Sequence, residues 1–233
     1  MASSRRGPGK FAVIRRPFVM LWILTMVMMT VNTSTLEYHP LGRTLTMSDA
    51  PTFGRYAELP VDRMTAEQRE GYRFLVEGPR GRLPGPYKVW VHNPKLVHAA
   101  APLGQHFTPG QSSLSERERE IAVLVVTSAW HSAYPTAAHE KRGKEVGLPD
   151  AAVEAIIAGR PTSFTNVREQ TVYEVALALA GARLVTQALY ERAVARLGHE
   201  SITDMIVLMG YYTAVSLTMN FYAVPAGSAG LAR

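Results

Sequence analysis

Glu120, Tyr134 and His139 are the residues whose types and spacing best suit acid–base chemistry in this 233-residue sequence. Glu120 stands directly before the apolar run 121–126, and Tyr134 and His139 follow that run. Burial beside such a run disfavours a charged carboxylate, so the pattern predicts a raised pKa for Glu120, in the range useful for proton transfer. A histidine and a glutamate in an apolar pocket form a reasonable proton-transfer unit. The alternative is that Glu120, like the two glutamates before it, only complements the positive end of a helix.

The segment from Leu114 to Gly147 resembles the signature of the carboxymuconolactone decarboxylase and alkylhydroperoxidase D-like family. In the peroxidase branch of that family, the signature contains a Glu, a C-x-x-C pair with a Tyr just before the second Cys, and a His four residues after it. The matching positions here are Glu120, Tyr134 and His139, with Ser132 and Pro135 at the two Cys positions. Because both thiols are missing, the sequence keeps the acid–base part of the signature without the redox part, which favours the decarboxylase side of the family.

The resemblance covers the chain from about residue 50 to residue 225 and implies an all-α domain that assembles into a homo-oligomer, commonly a trimer or a hexamer. It also implies a cofactor-independent lyase or isomerase that acts on a small carboxylated or lactone-like compound. In the decarboxylation of a γ-carboxy lactone, His139 oriented by Glu120 would deliver a proton to carbon as CO2 leaves, and Tyr134 would stabilise the developing oxyanion. Ser132 is a further candidate hydrogen-bond donor to the substrate.

Two other functions remain open from the sequence. One is the peroxidase activity that is associated with the family, and the other is a non-catalytic oligomer that retains the motif without using it. The chain contains no cysteine, which excludes disulfides, thiolate metal sites and thiol-dependent peroxidase chemistry. No H-E-x-x-H or comparable spacing of metal ligands is present, so the sequence predicts neither a metal nor another cofactor.

The net charge of the chain is concentrated in its first 46 residues. These contain six Lys or Arg residues and one acidic residue, and they therefore hold five of the six net positive charges. A nearly neutral remainder lacks the electrostatic footprint of a nucleic-acid-binding protein. The expected partners are a small-molecule substrate and further copies of the chain.

Residues 1–46 are predicted to be a basic and apolar leader outside the working domain, which we place at residues 47–233. The apolar run 18–31 follows a basic stretch, as in a signal peptide, but it is shorter than the roughly 20 apolar residues that span a bilayer. No A-x-A-like cleavage site follows it, and Met47 opens a segment that resembles the usual start of family members. A start codon assigned too far upstream explains these features and predicts a cytoplasmic protein. Export or membrane attachment through the leader is the alternative.

Helix signals recur through the domain and predict an all-α fold. The pairs Thr65 with Gln68 and Ser113 with Glu116 match the capping box of a helix start, and Pro135 suits the first turn of another helix. No segment alternates with the period of two that is typical of a half-buried strand. Further helices are predicted at about 149–158, 166–182, 186–197 and 202–221, with Thr165, Thr186 and Ser201 as caps.

The segment from Gly78 to Asn93 is dense in Gly and Pro and is predicted to be a loop that lines the pocket. It mixes aromatic and polar side chains, as small-molecule sites do, and Arg80 or Arg82 could hold an anionic substrate. The alternative is that the segment is only a connector. Its candidate substrate-binding residues are Tyr87, Trp90, His92 and Asn93, of which the last is also predicted to cap the next helix.

Asp204, like Glu120, precedes six mostly apolar residues, which is the pattern expected of two similar helical hairpins about a pseudo-twofold axis. Because the second copy has Ala223 where the first has His139, only the first is expected to carry an acid–base pair. The apolar segment 202–221 is too continuous for the surface of a monomer, and we expect it to be buried in a core or an interface. Its length also suggests a membrane span, which its embedded polar residues argue against.

Overall fold

A computed structural model describes residues 50–79 and 81–231 of the chain. The leader 1–46, the start at Met47 and Arg80 lie outside the described residues, so the predictions about them remain predictions. Within the described ranges the chain forms helices and no strand, and Phe53 and Tyr56 make one isolated antiparallel bridge. The predicted all-α fold is confirmed for this part of the chain.

The helices follow one another with short connections, after a 3₁₀ turn at Val61–Arg63. The fourth helix packs against each of the four helices that follow it, and the first packs against the third. The fourth helix therefore lies at the centre of the main helical layer. The helices are α1 (Ala66–Val76), α2 (Gly85–Trp90), α3 (Pro94–His106), α4 (Glu116–Ala129), α5 (Ala133–Glu145), α6 (Asp150–Ile157), α7 (Val167–Ala180) and α8 (Gln187–Phe221).

Helix α4 is buried on all sides over residues 118–127, because six consecutive aliphatic residues leave it no polar face. A helix that is apolar all round needs neighbours on every side, and α5 to α8 provide them. The helix begins at a capping box of Ser115 and Glu118. The predicted box at Ser113 and Glu116 is therefore wrong, and the reason is that Ser113 donates its hydrogen bonds to a carboxylate of α8 instead.

A tight connection joins α4 to α5. The amides of His131 and Ser132 donate to carbonyls in the last turn of α4, and His131 adopts a left-handed conformation with φ of 49°. This bonding pattern closes the helix and redirects the chain. Helix α5 then packs along α4, so that His139 reaches Glu120 near the beginning of α4. Gly147, with φ of 82°, follows the end of α5.

Two predicted features near the other helices are wrong. Residues 85–90 form helix α2 inside the predicted loop, because Pro84 and Pro86 lie at the N-cap and the second helical position, where no amide donor is needed. Helix α7 is capped by Asn166 instead of Thr165, since the Asn166 side chain accepts hydrogen bonds from the first amides of that helix.

The element α8 consists of two helices, as predicted, which meet at Gly198, where φ of 74° and ψ of 165° are not helical. The predicted cap Ser201 lies inside the second part of this element, whereas Thr186 caps the first part, as predicted. Of the described helices, α8 alone is long and apolar enough to cross a membrane by length and composition. Its inner face packs against α4 and α7, as in the core helix of a globular domain.

Candidate active site

The carboxylate of Glu120 is buried, and each of its oxygens has a partner. Oε2 lies 2.5 Å from Nδ1 of His139, and Oε1 accepts hydrogen bonds from Nη2 and Nε of Arg119 at 3.1 and 3.3 Å. Arg119 is held in place because its Nη1 donates to the backbone carbonyl of Phe107 at 3.0 Å. Only 1% of the Glu120 side chain is exposed. The structure therefore brings Glu120 and His139 together in a site that is screened from water.

The pKa of Glu120 is lowered from its ordinary value of 4.5, so the expectation of a raised pKa is wrong. Burial acts to raise the pKa, as expected from the apolar run. The hydrogen bond and the charge of His139, together with the charge and the hydrogen bonds of Arg119, act in the opposite direction and outweigh burial. Glu120 is consequently an anion at neutral pH, which suits it to orient His139 and not to donate a proton itself.

The imidazole of His139 has one bound and one free ring nitrogen. Nδ1 is held by Glu120, and Nε2 has no hydrogen-bond partner among the described residues. The ring stands edge-to-face against Tyr212, with centroids 4.8 Å apart and planes at 89°, which fixes its orientation. The His139 side chain is 18% exposed. Nε2 is therefore the atom that can exchange a proton with a bound molecule.

Two cavities meet at His139. The larger has a volume of about 420 Å³ and reaches the beginning of α2, and the smaller, of about 220 Å³, reaches Glu120 and the segment 107–109. Together they offer space for a small molecule beside the imidazole. The residues common to both walls are Arg82, His139, Arg142, Tyr211 and Tyr212.

Tyr134 lines the larger cavity together with His139. Its ring packs edge-on against Phe53, with centroids 5.2 Å apart, and it lies so close to Gly85 that a Cβ there would come within 2.5 Å of the Tyr134 ring and hydroxyl. Burial raises the pKa of Tyr134 above 10.0, and the charge of Arg82 only partly opposes this effect. The hydroxyl is therefore protonated at neutral pH and can donate a hydrogen bond to a molecule in the cavity.

Arg82 is the cation of this site that has no ion-pair partner among the described residues, although it lines both cavities. Arg142, on the same walls, is paired with Glu116 and Glu145. A guanidinium with free donors can bind a carboxylate in a bidentate manner. Arg82 is thus placed to hold an anionic ligand.

Tyr87 and Trp90 lie behind the cavities and not on their walls. The Tyr87 hydroxyl donates to the carbonyl of Ala100 at 2.9 Å and lies 3.1 Å from the hydroxyl of Tyr211. Trp90 packs edge-on against Tyr211 and donates from Nε1 to Thr218 at 3.0 Å. Both side chains therefore support Tyr211, which does line the cavities.

The structure does not bring Ser132, His92 and Asn93 to the two cavities either. Ser132 is the residue before α5 and is 1% exposed, with its hydroxyl 3.4 Å from the carbonyl of Ser216. Nε2 of His92 lies 2.8 Å from the hydroxyl of Tyr56. Asn93 caps α3, as predicted. These residues hold the surrounding backbone, and their role in substrate binding remains a prediction.

Sequence reasoning missed Arg119, Tyr211 and Tyr212. Arg119 lies in a run of alternating charges at the start of α4, where helix-dipole arguments explain every residue equally well. The two tyrosines lie on α8, and only the packing of distant helices brings them to His139. Arg142 had a detectable signal, because it follows His139 by three residues and so shares its helix face.

A second histidine–carboxylate pair lies away from the cavities. Nε2 of His106 lies 2.8 Å from Oδ1 of Asp204, whose Oδ2 accepts hydrogen bonds from the amide and the hydroxyl of Ser113, each at 2.8 Å. The second of the two similar segments supplies only the acid of this pair, because the partner of Asp204 comes from α3. This second pair fastens the segment before α4 to α8. Among the described residues, no three His, Asp or Glu side chains are grouped so as to hold a metal ion.

Solved structures similar to this chain identify its fold. A peroxidase-related protein from Silicibacter sp. TM1040 is 19% identical, with a TM-score of 0.58 over 77% of this chain and 94% of that one. An alkylhydroperoxidase AhpD core, a peroxidase-related protein from Ralstonia eutropha JMP134, is 16% identical, with a TM-score of 0.57 over 73% and 90%. No protein-family model and no curated protein sequence matches the chain. The predicted alkylhydroperoxidase D-like fold is therefore confirmed.

Proposed function

We propose that this protein is a cofactor-independent lyase or isomerase that acts on a small carboxylated or lactone-like compound. The observation that carries the proposal is the contact of 2.5 Å between Nδ1 of His139 and Oε2 of Glu120, at a wall shared by two cavities. The pair leaves Nε2 free for a substrate, and the burial of Glu120 keeps water from competing for its oxygens. A histidine arranged in this way is suited to general acid–base catalysis.

The arrangement supports a decarboxylation in which the chain supplies one proton. Arg82 binds a carboxylate of the substrate, and the carbon–carbon bond to the departing carboxylate breaks, leaving its electron pair on the substrate as an enolate. The Tyr134 hydroxyl, protonated because of its raised pKa, donates a hydrogen bond to the enolate oxygen. His139, protonated at Nε2, transfers that proton to carbon and regains it from solvent, while Glu120 holds the ring. An isomerisation would use the same groups without loss of CO2.

The alternative of a thiol-dependent peroxidase lacks a nucleophile in this chain. The whole sequence contains no cysteine, and Ser132 and Pro135 stand at the two motif positions. We expect no consumption of hydroperoxide above background when the purified protein is given a dithiol reductant, because neither residue can form a thiolate. A coupled assay of peroxide loss checks this, and thiol-dependent turnover would contradict it. The alternative of a non-catalytic oligomer is disfavoured by the unfilled space around His139.

The proposal is tested by offering a panel of carboxylated lactones and small unsaturated acids to the protein. We expect at least one compound to release CO2 or to exchange a carbon-bound proton in D2O, as followed by NMR. His139→Ala should abolish the reaction. His106→Ala is the matched control, since it removes the other carboxylate-paired histidine and should leave the reaction unchanged. Equal rates for the wild type and for His139→Ala would show that the reaction does not use this site.

A further inference from the structure

A further cavity, of about 560 Å³, lies where the carboxyl ends of α4, α6 and α7 meet. It shares no lining residue with the two cavities at His139. Its walls include Val125, Ile156 and Tyr173, which are buried in the hydrophobic core, and Leu177, which is half exposed. The cavity therefore offers an apolar surface large enough for a small molecule, and this surface is not part of the acid–base site.

Three basic side chains, of His131, Arg160 and Arg183, line the same cavity. No acidic residue lies on its walls, and none of the three forms an ion pair or a side-chain hydrogen bond with a described residue. An unpaired cluster of this kind attracts an anion. In this respect Arg160 and Arg183 differ from several arginines elsewhere in α4 to α8, which form ion pairs. These are Arg117, Arg119, Arg142, Arg168 and Arg192.

The helix ends do not account for these basic side chains. Basic side chains often follow a helix because they donate to its last carbonyls and complement its dipole. Here the three basic side chains donate to no carbonyl. Backbone amides bond back to the last turns instead, those of residues 131 and 132 on α4, 159 and 160 on α6, and 182 and 183 on α7.

One local feature adds to this picture. The hydroxyl of Ser128, a residue of the cavity wall, is buried and has no hydrogen-bond partner among the described residues. Buried hydroxyls without a partner are uncommon in folded proteins.

We propose that this cavity binds a small organic anion, whose apolar body packs against Val125, Ile156 and Tyr173 and whose carboxylate is held by Arg160 and Arg183. The planar guanidinium suits a carboxylate because it offers two parallel donors. An aromatic acid of one ring fits both the volume and the mixture of apolar and basic walls. This site is separate from the one at His139 and does not depend on the function proposed for it.

The test is a titration of benzoate onto the full chain, followed by calorimetry and by NMR chemical shifts. We expect saturable binding, and about tenfold weaker binding of the neutral analogue benzyl alcohol, because it lacks the charge. The double variant Arg160→Gln/Arg183→Gln should raise the dissociation constant of benzoate by about tenfold or more. Arg55→Gln/Arg73→Gln, which removes the same charge from exposed arginines elsewhere, should leave it unchanged.

A second pair of variants tests the position of the ligand without touching a basic residue. Leu177→Asp places an acid on the cavity wall and should abolish benzoate binding, whereas Leu96→Asp, at a similarly exposed leucine of α3, should not. Arg82→Gln serves as the background for all of these titrations, because it removes the cation of the His139 site, where a carboxylate could also bind. Benzoate binding that is absent from Arg82→Gln, or that keeps its affinity when Arg160→Gln/Arg183→Gln is added to that background, would overturn the proposal.

Discussion

The two carboxylate oxygens of Glu120 have different partners, Arg119 and His139. This arrangement determines the chemical role that the carboxylate can take. Arg119 neutralises one oxygen from within α4, so the charge does not depend on His139 alone. The other oxygen holds Nδ1 and so fixes which ring nitrogen faces a ligand. A neutral amide at position 120 could still accept a hydrogen bond but would lose the charge. The catalytic role of Glu120 in our proposal is therefore electrostatic and orienting.

If His139 and Glu120 act as one unit, their removal should not be additive. Once a substrate is found, we expect His139→Ala and Glu120→Gln each to lower kcat by roughly 10²-fold or more, and the double variant to lose little beyond that. Initial rates at saturating substrate measure this. Circular dichroism must first show that each variant folds, because Glu120 is buried. Turnover near the wild-type level in either folded variant would remove the pair from the mechanism.

The lowered pKa of Glu120 also predicts an acid-sensitive fold. Its pKa is below 4.5 in the folded chain and near 4.5 in the unfolded chain, so ionised Glu120 stabilises the fold above pH 4.5. This contribution is lost as the pH falls from 4.5 through the lower pKa of the folded state. Urea unfolding of the wild type and of Glu120→Gln across pH 3 to 7 checks this. We expect a shallower pH dependence in the variant, and equal slopes would contradict the assignment.

At the scale of helices, local signals predicted the elements that carry the acid–base pair. By periodicity alone the apolar run after Glu120 fits a buried strand as well as a helix, and the capping pattern before it together with the family resemblance decides for a helix. With the proline near the start of α5, these signals predict a helix, a short connection and a second helix with His139 on it. They could not predict Arg119 as a partner or the sign of the Glu120 pKa shift, because burial and charge pairing oppose each other there. The balance depends on distances that only the folded chain defines.

Helix α2 was not predicted, because it too depends on contacts that only the folded chain defines. Its Pro and Gly content is typical of a loop, and its six residues gain stability from the packing of Tyr87 and Val89 rather than from helix propensity. Gly85 begins this helix because Tyr134 occupies the space of a side chain there. Such a requirement comes from a residue 49 positions away in the sequence and has no local pattern.

Gly85→Ala should therefore disturb the site more than the fold. The added Cβ would collide with the ring and the hydroxyl of Tyr134, so we expect Tyr134 to move and kcat to fall by roughly tenfold or more. Near-ultraviolet circular dichroism and initial rates report the two effects. Gly71→Ala in α1 is the matched control, since its Cβ would meet Pro94 at an ordinary 3.4 Å. Unchanged turnover in Gly85→Ala would show that the position of Tyr134 does not matter for the reaction.

At the scale of the whole molecule, the outer face of α8 is apolar and exposed among the described residues. The packing of the single chain does not explain this exposure. Over residues 203–221 this face carries no charged side chain, and the one acid of that stretch, Asp204, faces Ser113 and His106. A helix of this length exposes an apolar strip of about 27 Å to water. Soluble monomers rarely leave such a strip uncovered. Its exposed members are Thr203, Ile206, Val207, Gly210, Ala214, Leu217 and Phe221.

We propose that a second copy of this chain covers the strip. Positions 203, 207, 210, 214, 217 and 221 alternate steps of four and three residues, which is the spacing that lets two like helices interdigitate. Gly210 and Ala214, at the centre of the strip, allow close approach, and a Cβ at Gly210 would have no atom of another described part of the chain within 4 Å. In this proposal, the homo-oligomer expected from the family resemblance assembles with α8 against α8.

Charge placed on this strip should consequently break the assembly and leave the domain folded. We expect the wild type to be a dimer or a larger closed oligomer by light scattering, and Val207→Glu/Leu217→Glu to be smaller, because each copy of the chain would bring two carboxylates into the interface and desolvate them there. Leu96→Glu/Leu103→Glu, on equally exposed leucines of α3, is the matched control and should keep the wild-type mass. A monomeric wild type that co-floats with phosphatidylcholine vesicles would instead assign the strip to a membrane surface.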